Sequence, residues 1–163
     1  EYFTYLSKID DSSILYHLHL PERHIIQVPC YDTDALADME IRLAKAKGSS
    51  RLHHLPYRRQ YGYILSISDL FASRFHPTQY FIYLKHRPDQ YLPEYKKLPA
   101  GEYICFRTQV LKEHWDTTLL HNFFSDMNWP ELALALEFED NLVEYQDAQY
   151  EIQMYSPEQT QTL

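Results

Sequence analysis

The stretch from Glu131 to Glu139 places a carboxylate beside small side chains, a pattern that could form a ligand site. Side chains of a β-strand alternate between the two faces of a sheet. Under that alternation one face is large and apolar (Leu132, Leu134, Leu136 and Phe138), whereas the other carries Ala133, Ala135 and Glu137. Protein interiors rarely keep empty volume beside a charge. The strand therefore indicates either a ligand pocket or a face that is simply exposed to solvent.

Aromatic residues could supply the walls of such a pocket, because the chain contains 15 Tyr, 8 Phe and 2 Trp. A tyrosine ring is seldom fully buried, since its hydroxyl needs a hydrogen-bond partner. Ring faces attract cations by about 0.5–2 kcal/mol each. Rings around one carboxylate would thus suit a lipophilic cation, although ordinary packing is the alternative for any single ring. The candidate rings on predicted strands and helices are Tyr61, Tyr63, Tyr80, Tyr83, Tyr103, Tyr150, Tyr155 and Trp115.

Other kinds of chemistry find little support in the sequence. No Cys-x-x-Cys, His-Glu-x-x-His or carboxylate-rich calcium loop is present, so we expect no metal and no cofactor. The 3 glycines lie far apart, which excludes a glycine-rich phosphate loop, and no Gly-x-Ser-x-Gly elbow occurs. Cys105 lies in an apolar run and is expected to be a buried core thiol. We therefore expect no catalytic residues and no enzyme.

The elements that would position these residues occur in the same order twice. Patterning predicts strands at 13–19, 23–29, 61–68, 79–85, 101–109, 131–139 and 149–155, helices at about 35–47 and 112–127, and a connector at 86–99. The repeated order predicts an α+β fold, a duplicated β-α-β-β unit with antiparallel sheets and helices around a central ligand cleft. We expect a single domain over 1–163, with halves at about 13–86 and 98–156.

Charge is distributed unevenly along the chain, whose formal net charge is −8. Residues 113–163 contain 11 acidic residues and no Lys or Arg, whereas all 15 basic residues lie in 1–112. The acidic balance argues against nucleic-acid binding through the overall field of this domain. No apolar run approaches about 18 residues, no signal peptide is visible, and the 2 cysteines are unclustered. These features predict a cytoplasmic protein without a membrane partner.

A family resemblance emerges from the second half. The run Leu98-Pro-Ala-Gly-Glu-Tyr-Ile-Cys105 is similar to the apolar-Pro-x-Gly-x-Tyr strand opening of GyrI-like effector-binding domains. The match continues without gaps through Glu113-His114-Trp115, and Tyr61-Gly62 and Gln149-Tyr150-x-Ile152 also fit. The chain most resembles the C-terminal drug-sensing domain of MerR-type multidrug-response transcription activators, over roughly residues 60–155.

The resemblance implies a pocket of stacked aromatics around an acidic residue, which binds lipophilic, often cationic, aromatic compounds. The carboxylate falls on Glu137, but the hairpin after it is about two residues shorter here than in the family, so Glu139 and Glu131 remain alternatives. The predicted ligand-binding residues are Glu137, Tyr150, Trp115, Tyr80, Tyr61, Tyr103 and Val110, the last where the family has an aromatic residue.

The resemblance also implies partners. DNA would be contacted only by an N-terminal winged-helix domain absent from this sequence, and the full-length regulator would be a homodimer. Alternatively, the chain is a stand-alone GyrI-like protein. It would then be either a small-molecule hydrolase that uses Glu137 and Tyr150, or an inhibitor that binds a DNA-handling enzyme through the acidic segment.

Overall fold

The computed structural model describes residues 5–8, 14–31, 36–47, 61–109, 115–124, 129–137 and 149–157. The strands are β1 (Tyr5–Lys8), β2 (Ile14–Leu20), β3 (Arg23–Pro29), β4 (Tyr61–Leu65), β5 (Pro77–Leu84), β6 (Tyr95–Leu98), β7 (Gly101–Thr108), β8 (Leu132–Glu137) and β9 (Tyr150–Tyr155). The helices are α1 (Leu36–Lys47), α2 (Ile67–Phe71) and α3 (Thr117–Phe123). The fold is thus α+β, as the patterning predicted.

The described strands form one nine-stranded sheet in the order β1-β2-β7-β9-β8-β4-β5-β3-β6. Each pair of neighbouring strands is antiparallel. Strands β4 and β8 pair at the middle of this order, through Tyr63↔Ala135 and Ile64↔Leu134. We call this pairing the central seam, because the strands of the first part of the chain lie mostly on one side of it and those of the second part on the other.

Two short connections require the sheet to be strongly curled. Pro21 and Glu22 join β2 to β3, which are second and eighth in the sheet order, and Pro99 and Ala100 join β6 to β7, which are ninth and third. Six strand spacings of a flat sheet would amount to about 29 Å. The three backbone steps from Leu20 to Arg23 reach at most about 11 Å. The sheet must therefore bend and twist until its two ends approach each other.

The helices cover one face of this sheet, and the other face lines the inside of the curl. Met39 and Leu43 of α1 pack against β3 and β5. Leu70 of α2 and Leu120 of α3 pack against β7, β8 and β9. Tyr63 contacts both groups, so it lies where the two helix-covered halves meet. The inner face holds its own core, formed by Leu132, Leu134, Leu136, Phe81, Tyr83, Ile25, Leu98, Tyr103, Cys105, Leu18 and Leu20.

The predicted strand at 61–68 is wrong in its last residues, because β4 ends at Leu65 and α2 begins at Ile67. Ile67, Leu70 and Phe71 have helical spacing, and α2 uses it to bury Leu70 and Phe71. Asp69 in its first turn is favoured by the helix dipole. The connector predicted at 86–99 is likewise corrected, since β6 lies within it and pairs with β3.

The second predicted helix begins later than the patterning indicated. Asp116 has extended backbone, and its carboxylate accepts hydrogen bonds from the backbone N–H groups of Thr118 (2.9 Å) and Leu119 (3.4 Å). Such an N-cap satisfies amides that have no partner within the helix. Trp115 therefore precedes α3 rather than lying on it. Residues 110–114 and 125–128 of this region lie outside the described residues.

Candidate functional site

Four aromatic side chains meet beside the central seam on the helix-covered face, and we call them the aromatic cluster. The ring centroid of Tyr63 lies 5.3 Å from that of Tyr80 and 6.5 Å from that of Tyr150. Phe75, from the loop between α2 and β5, lies 5.7 Å from Tyr63 and 5.5 Å from Tyr150. These spacings fall within the range that favours edge-to-face and tilted ring pairs. Tyr80 and Tyr150 are buried, whereas Tyr63 and Phe75 are half-buried.

Strand register explains how the cluster forms beside the small residues of β8. Tyr63 pairs with Tyr80 of β5 on one side and with Ala135 of β8 on the other. Ala135 in turn pairs with Ile152 of β9. Directly opposite residues share a face, so all four lie on the helix-covered side. Ala133 and Ala135 are both 0% exposed, and the alternative of a solvent-exposed alanine face therefore does not apply.

Glu137 occupies the last position of β8, next to this cluster in the sheet. Its Cα partner in the register is Tyr150. The β4–β8 register, continued by two residues on each strand, places Tyr61 opposite Glu137. The side chains of Tyr61 and Glu137 lie outside the described part of the structure. The backbone thus places positions 61, 137 and 150 on neighbouring strands.

The two alternative carboxylates, Glu131 and Glu139, are not found beside Tyr150 among the described residues. Glu131 lies at the opposite end of β8, where its backbone N–H donates to the carbonyl of Tyr155 (2.8 Å). Six residue steps along the extended chain separate its Cα from that of Glu137 by about 20 Å. The sheet therefore places Glu131 far from Tyr150. Glu139 lies outside the described residues, as does Val110.

Trp115 lies in the core beside α2 and is not part of the aromatic cluster. The side chain is 8% exposed and belongs to the same core as Tyr150. Its indole N–H donates to the carbonyl oxygen of Leu70 at 2.6 Å, and its ring lies 6.0 Å from that of Phe106. The hydrogen bond fixes α2 against the segment that leads into α3. Trp115 thus holds the element from which the Phe75 loop departs.

Tyr103 lies on the inner face, away from the other predicted site residues. It is 0% exposed, and its hydroxyl donates to the carbonyl oxygen of Pro99 at 2.6 Å. The guanidinium of Arg23 lies 5.1 Å from its ring centroid. Burial raises the pKa of the Tyr103 hydroxyl. The structure does not bring Tyr103 together with Tyr80 and Tyr150.

Arg23 belongs to a buried polar network on that inner face. Its Nη1 donates to the hydroxyl of Tyr83 (2.9 Å) and to Oε1 of Gln153 (3.1 Å). Gln153 Nε2 donates to Oε1 of Glu151 at 2.9 Å, and the hydroxyl of Tyr16 donates to Oε2 at 2.5 Å. Burial raises the pKa of the Tyr16 hydroxyl, and the neighbouring carboxylate of Glu151 raises it further. The network joins β3 to β9 across the inside of the curl.

Cys105 lies in the same inner core and is 0% exposed. Desolvation raises the pKa of its thiol well above the ordinary value. A thiol of this kind forms little thiolate at neutral pH. Cys105 is therefore a core side chain, in agreement with the prediction from the sequence.

Phe75 and Tyr63 are not among the predicted ligand-binding residues, although Tyr63 is one of the candidate rings. Alternation along β4 places Tyr63 on the same face as Tyr61, so this residue could have been included. Phe75 follows no periodic pattern, because it lies in a loop and reaches the cluster only through the tertiary fold. The described residues contain no group of three or more His, Cys, Asp or Glu side chains that could hold a metal ion.

Comparison with models of protein families gives no match to this chain. No curated protein matches it either. No helix in the described ranges has both the length and the apolar character needed to cross a membrane.

Proposed function

We propose that this chain is a ligand-sensing domain that binds planar, lipophilic cations on the helix-covered face of its sheet. The observation that carries the proposal is the aromatic cluster at the central seam, beside the buried alanines of β8 and the Glu137 position. Rings attract a cation through their faces, and a partly desolvated carboxylate would add charge pairing and disfavour anions.

We further infer that the domain is a duplicated, GyrI-like β-α-β-β unit. The first half runs β3-α1-β4-β5 and the second β7-α3-β8-β9. In the sheet the three strands of each half take the order first, third, second, and the two halves meet through their second strands, β4 and β8. An interface between two such halves is a common place for a ligand site.

A sensor must pass the effect of ligand binding to another part of the protein, and the family resemblance implies how this would happen. In a MerR-type activator, a bound ligand would act on a DNA-binding domain elsewhere in a dimeric protein. Binding can shift such an equilibrium only by the difference in affinity for the two states. The proposed protein is a cytoplasmic sensor without enzymatic activity. Its ligand is a small cation, and it affects DNA only through a separate DNA-binding domain.

A set of dyes that share one ring system but differ in charge tests the proposal. Isothermal titration with a cationic, a neutral and an anionic dye should show saturable one-site binding, at least about tenfold tighter for the cation than for the anion. Tyr63→Leu should weaken cation binding, whereas Tyr91→Leu, at a residue that is 87% exposed, should not. Absence of saturable binding, or equal affinity for the anion, would overturn the proposal.

A second candidate function is hydrolysis of small electrophiles, favoured by the register that pairs Glu137 with Tyr150. A carboxylate and a phenol at adjacent positions could serve as base and acid. Turnover of a reactive ester or strained-ring substrate should then disappear in both Glu137→Gln and Tyr150→Phe. If no turnover is measured with the parent protein, or if either variant retains the parent rate, this candidate fails.

A further inference from the structure

The two residues that flank Phe75 in the loop between α2 and β5 both contact the carboxylate of Asp69. Arg74 donates from Nε (2.9 Å) and Nη2 (2.8 Å) to Oδ1 of Asp69. Nδ1 of His76 lies 2.7 Å from Oδ2 of the same residue. Phe75 lies between these two residues in the chain, so both of its neighbours are tied to Asp69. The hydrogen bonds from His76 and Arg74 also hold the pKa of Asp69 below its ordinary value.

The backbone of the loop is held by several hydrogen bonds, including those from the Ser73 N–H to the carbonyl oxygen of Leu70 (3.2 Å) and from the Ser66 N–H to that of His76 (3.4 Å). The carbonyl oxygen of Asp69 accepts hydrogen bonds from the N–H groups of Ala72 (3.1 Å) and Arg74 (2.8 Å). Ser73 has a φ of 59°, a left-handed conformation that non-glycine residues adopt only where the surroundings hold it. Together these contacts leave the loop little freedom to move the Phe75 ring.

The helix that carries Asp69 is itself held in the core. Asp69 lies on α2, whose Leu70 is 0% exposed and accepts the indole N–H of Trp115 at 2.6 Å. The side chains of Arg74 and His76 are exposed, at 68% and 52%, whereas that of Asp69 is only 16% exposed. The side-chain hydrogen bonds to Asp69 thus lie at the surface. The half-buried Phe75 contacts Tyr63 and Tyr150 on the inward side.

We infer that Phe75 is a specificity-determining residue of the ligand site and that Asp69 is its positioning residue. The Asp69 carboxylate holds Phe75 against Tyr63 and Tyr150, which gives the site a wall that does not belong to the sheet. This inference rests on the proposed function. It narrows the ligand class to aromatic cations that contact the half-buried rings of Tyr63 and Phe75.

The position of the ring is tested without ligand, by NMR. The parent should show cross-relaxation between ring protons of Phe75 and Tyr150. Asp69→Asn keeps the backbone hydrogen bonds of the loop but removes the charge-assisted side-chain bonds to Arg74 and His76, so this cross-relaxation should weaken. Asp89→Asn, at an exposed residue of the 85–94 connection, is the matched control and should keep it. If Asp69→Asn keeps the parent pattern, the positioning role is wrong.

The role in binding is tested with the planar cationic dye. Asp69→Asn and Phe75→Leu should each weaken binding about five- to tenfold, and the double variant should be no weaker than Phe75→Leu alone, since both changes remove one contact. Phe75→Tyr keeps a ring and should bind within about twofold of the parent. Parent-like binding by Phe75→Leu, or additive losses in the double variant, would overturn the inference. If the parent itself binds no dye, the proposed function falls, and the binding role of Phe75 with it, while the NMR result still decides whether Asp69 positions the ring.

Discussion

Tyrosines serve two different purposes in this molecule, and the face of the sheet decides which. Tyr63, Tyr80 and Tyr150 lie on the helix-covered face and form the aromatic cluster. Tyr16 and Tyr103 lie on the inner face, where their hydroxyls donate to Glu151 and to Pro99. Alternation correctly predicted that Leu132, Leu134 and Leu136 share one face of β8, and that Ala133 and Ala135 share the other. It could not show whether the alanine face was buried, because burial depends on helices that are distant in sequence.

Replacing Tyr16 with Phe tests the inner polar network at the level of one atom. Glu151 is 7% exposed and would lose the donor at 2.5 Å. Leaving a buried acceptor short of a partner costs about 1–3 kcal/mol, so we expect a loss of that size in the free energy of unfolding, measured with urea at pH 7. Tyr91→Phe, at an exposed tyrosine, should change it little. Equal stability of Tyr16→Phe and the parent would contradict the network.

The same residue should make stability depend on alkaline pH. The pKa of Tyr16 is raised above its ordinary value of 10.0 by burial and by Glu151. In the unfolded chain the phenol ionises above about pH 10, while in the folded protein it stays protonated. The stability that Tyr16 contributes is therefore complete below pH 10 and falls as the pH rises beyond it. The difference in unfolding free energy between the parent and Tyr16→Phe should shrink above pH 10, and a constant difference would contradict this account.

At the level of elements, the order strand, helix, strand, strand could be predicted because hydrophobic periodicity is a local property. Two elements outside that order, α2 and β6, could not be predicted in this way. Helix α2 is too short to produce a clear period, and β6 occurs within a proline-bearing connector, where its pairing with β3 is decided by the fold. The loop that carries Phe75 depends on α2, so this part of the site was missed together with the element.

Gly62 shows how closely β4 is packed against its neighbours. A Cβ at this position would lie 2.5 Å from Cζ of Phe81 and 2.7 Å from Cδ2 of Leu136. Overpacking of this kind costs about 1–3 kcal/mol, so Gly62→Ala should lower the unfolding free energy by that amount. Because Leu136 precedes Glu137, the variant should also weaken dye binding. An unchanged melting temperature would show that β4 and β8 are less tightly packed than described.

The curl of the sheet is the property of the whole molecule that gives it an inner core. It follows from the two-residue connections between strands at opposite ends of the sheet. The sequence predicts the turn at Pro21 between two strands, whereas β6 and its turn through Pro99 lie within the stretch predicted as a connector. The sequence does not show that the strands joined by these turns stand six places apart, because strand order is set by pairing between distant segments. The resemblance to a known family implied a duplicated unit but no particular curvature.

A double-mutant cycle between Arg23 and Gln153 tests this curl. The two residues are 130 positions apart in sequence, and their side chains are 3.1 Å apart across the inner face. Arg23→Met, Gln153→Leu and the double variant should show a coupling energy of about 0.5–3 kcal/mol in urea unfolding. Strictly additive effects would mean that β3 and β9 do not approach each other in solution.

Binding of a planar cation beside Glu137 can be tested by one titration. The cationic dye and its neutral analogue are titrated into the parent, Glu137→Gln and the matched control Glu131→Gln, at the exposed residue that immediately precedes β8. Loss of one compensating charge should weaken cation binding at least about tenfold in Glu137→Gln. The neutral analogue should bind both proteins within about twofold, and Glu131→Gln should match the parent. Cation binding by Glu137→Gln as tight as that of the parent would show that Glu137 is not the counter-ion.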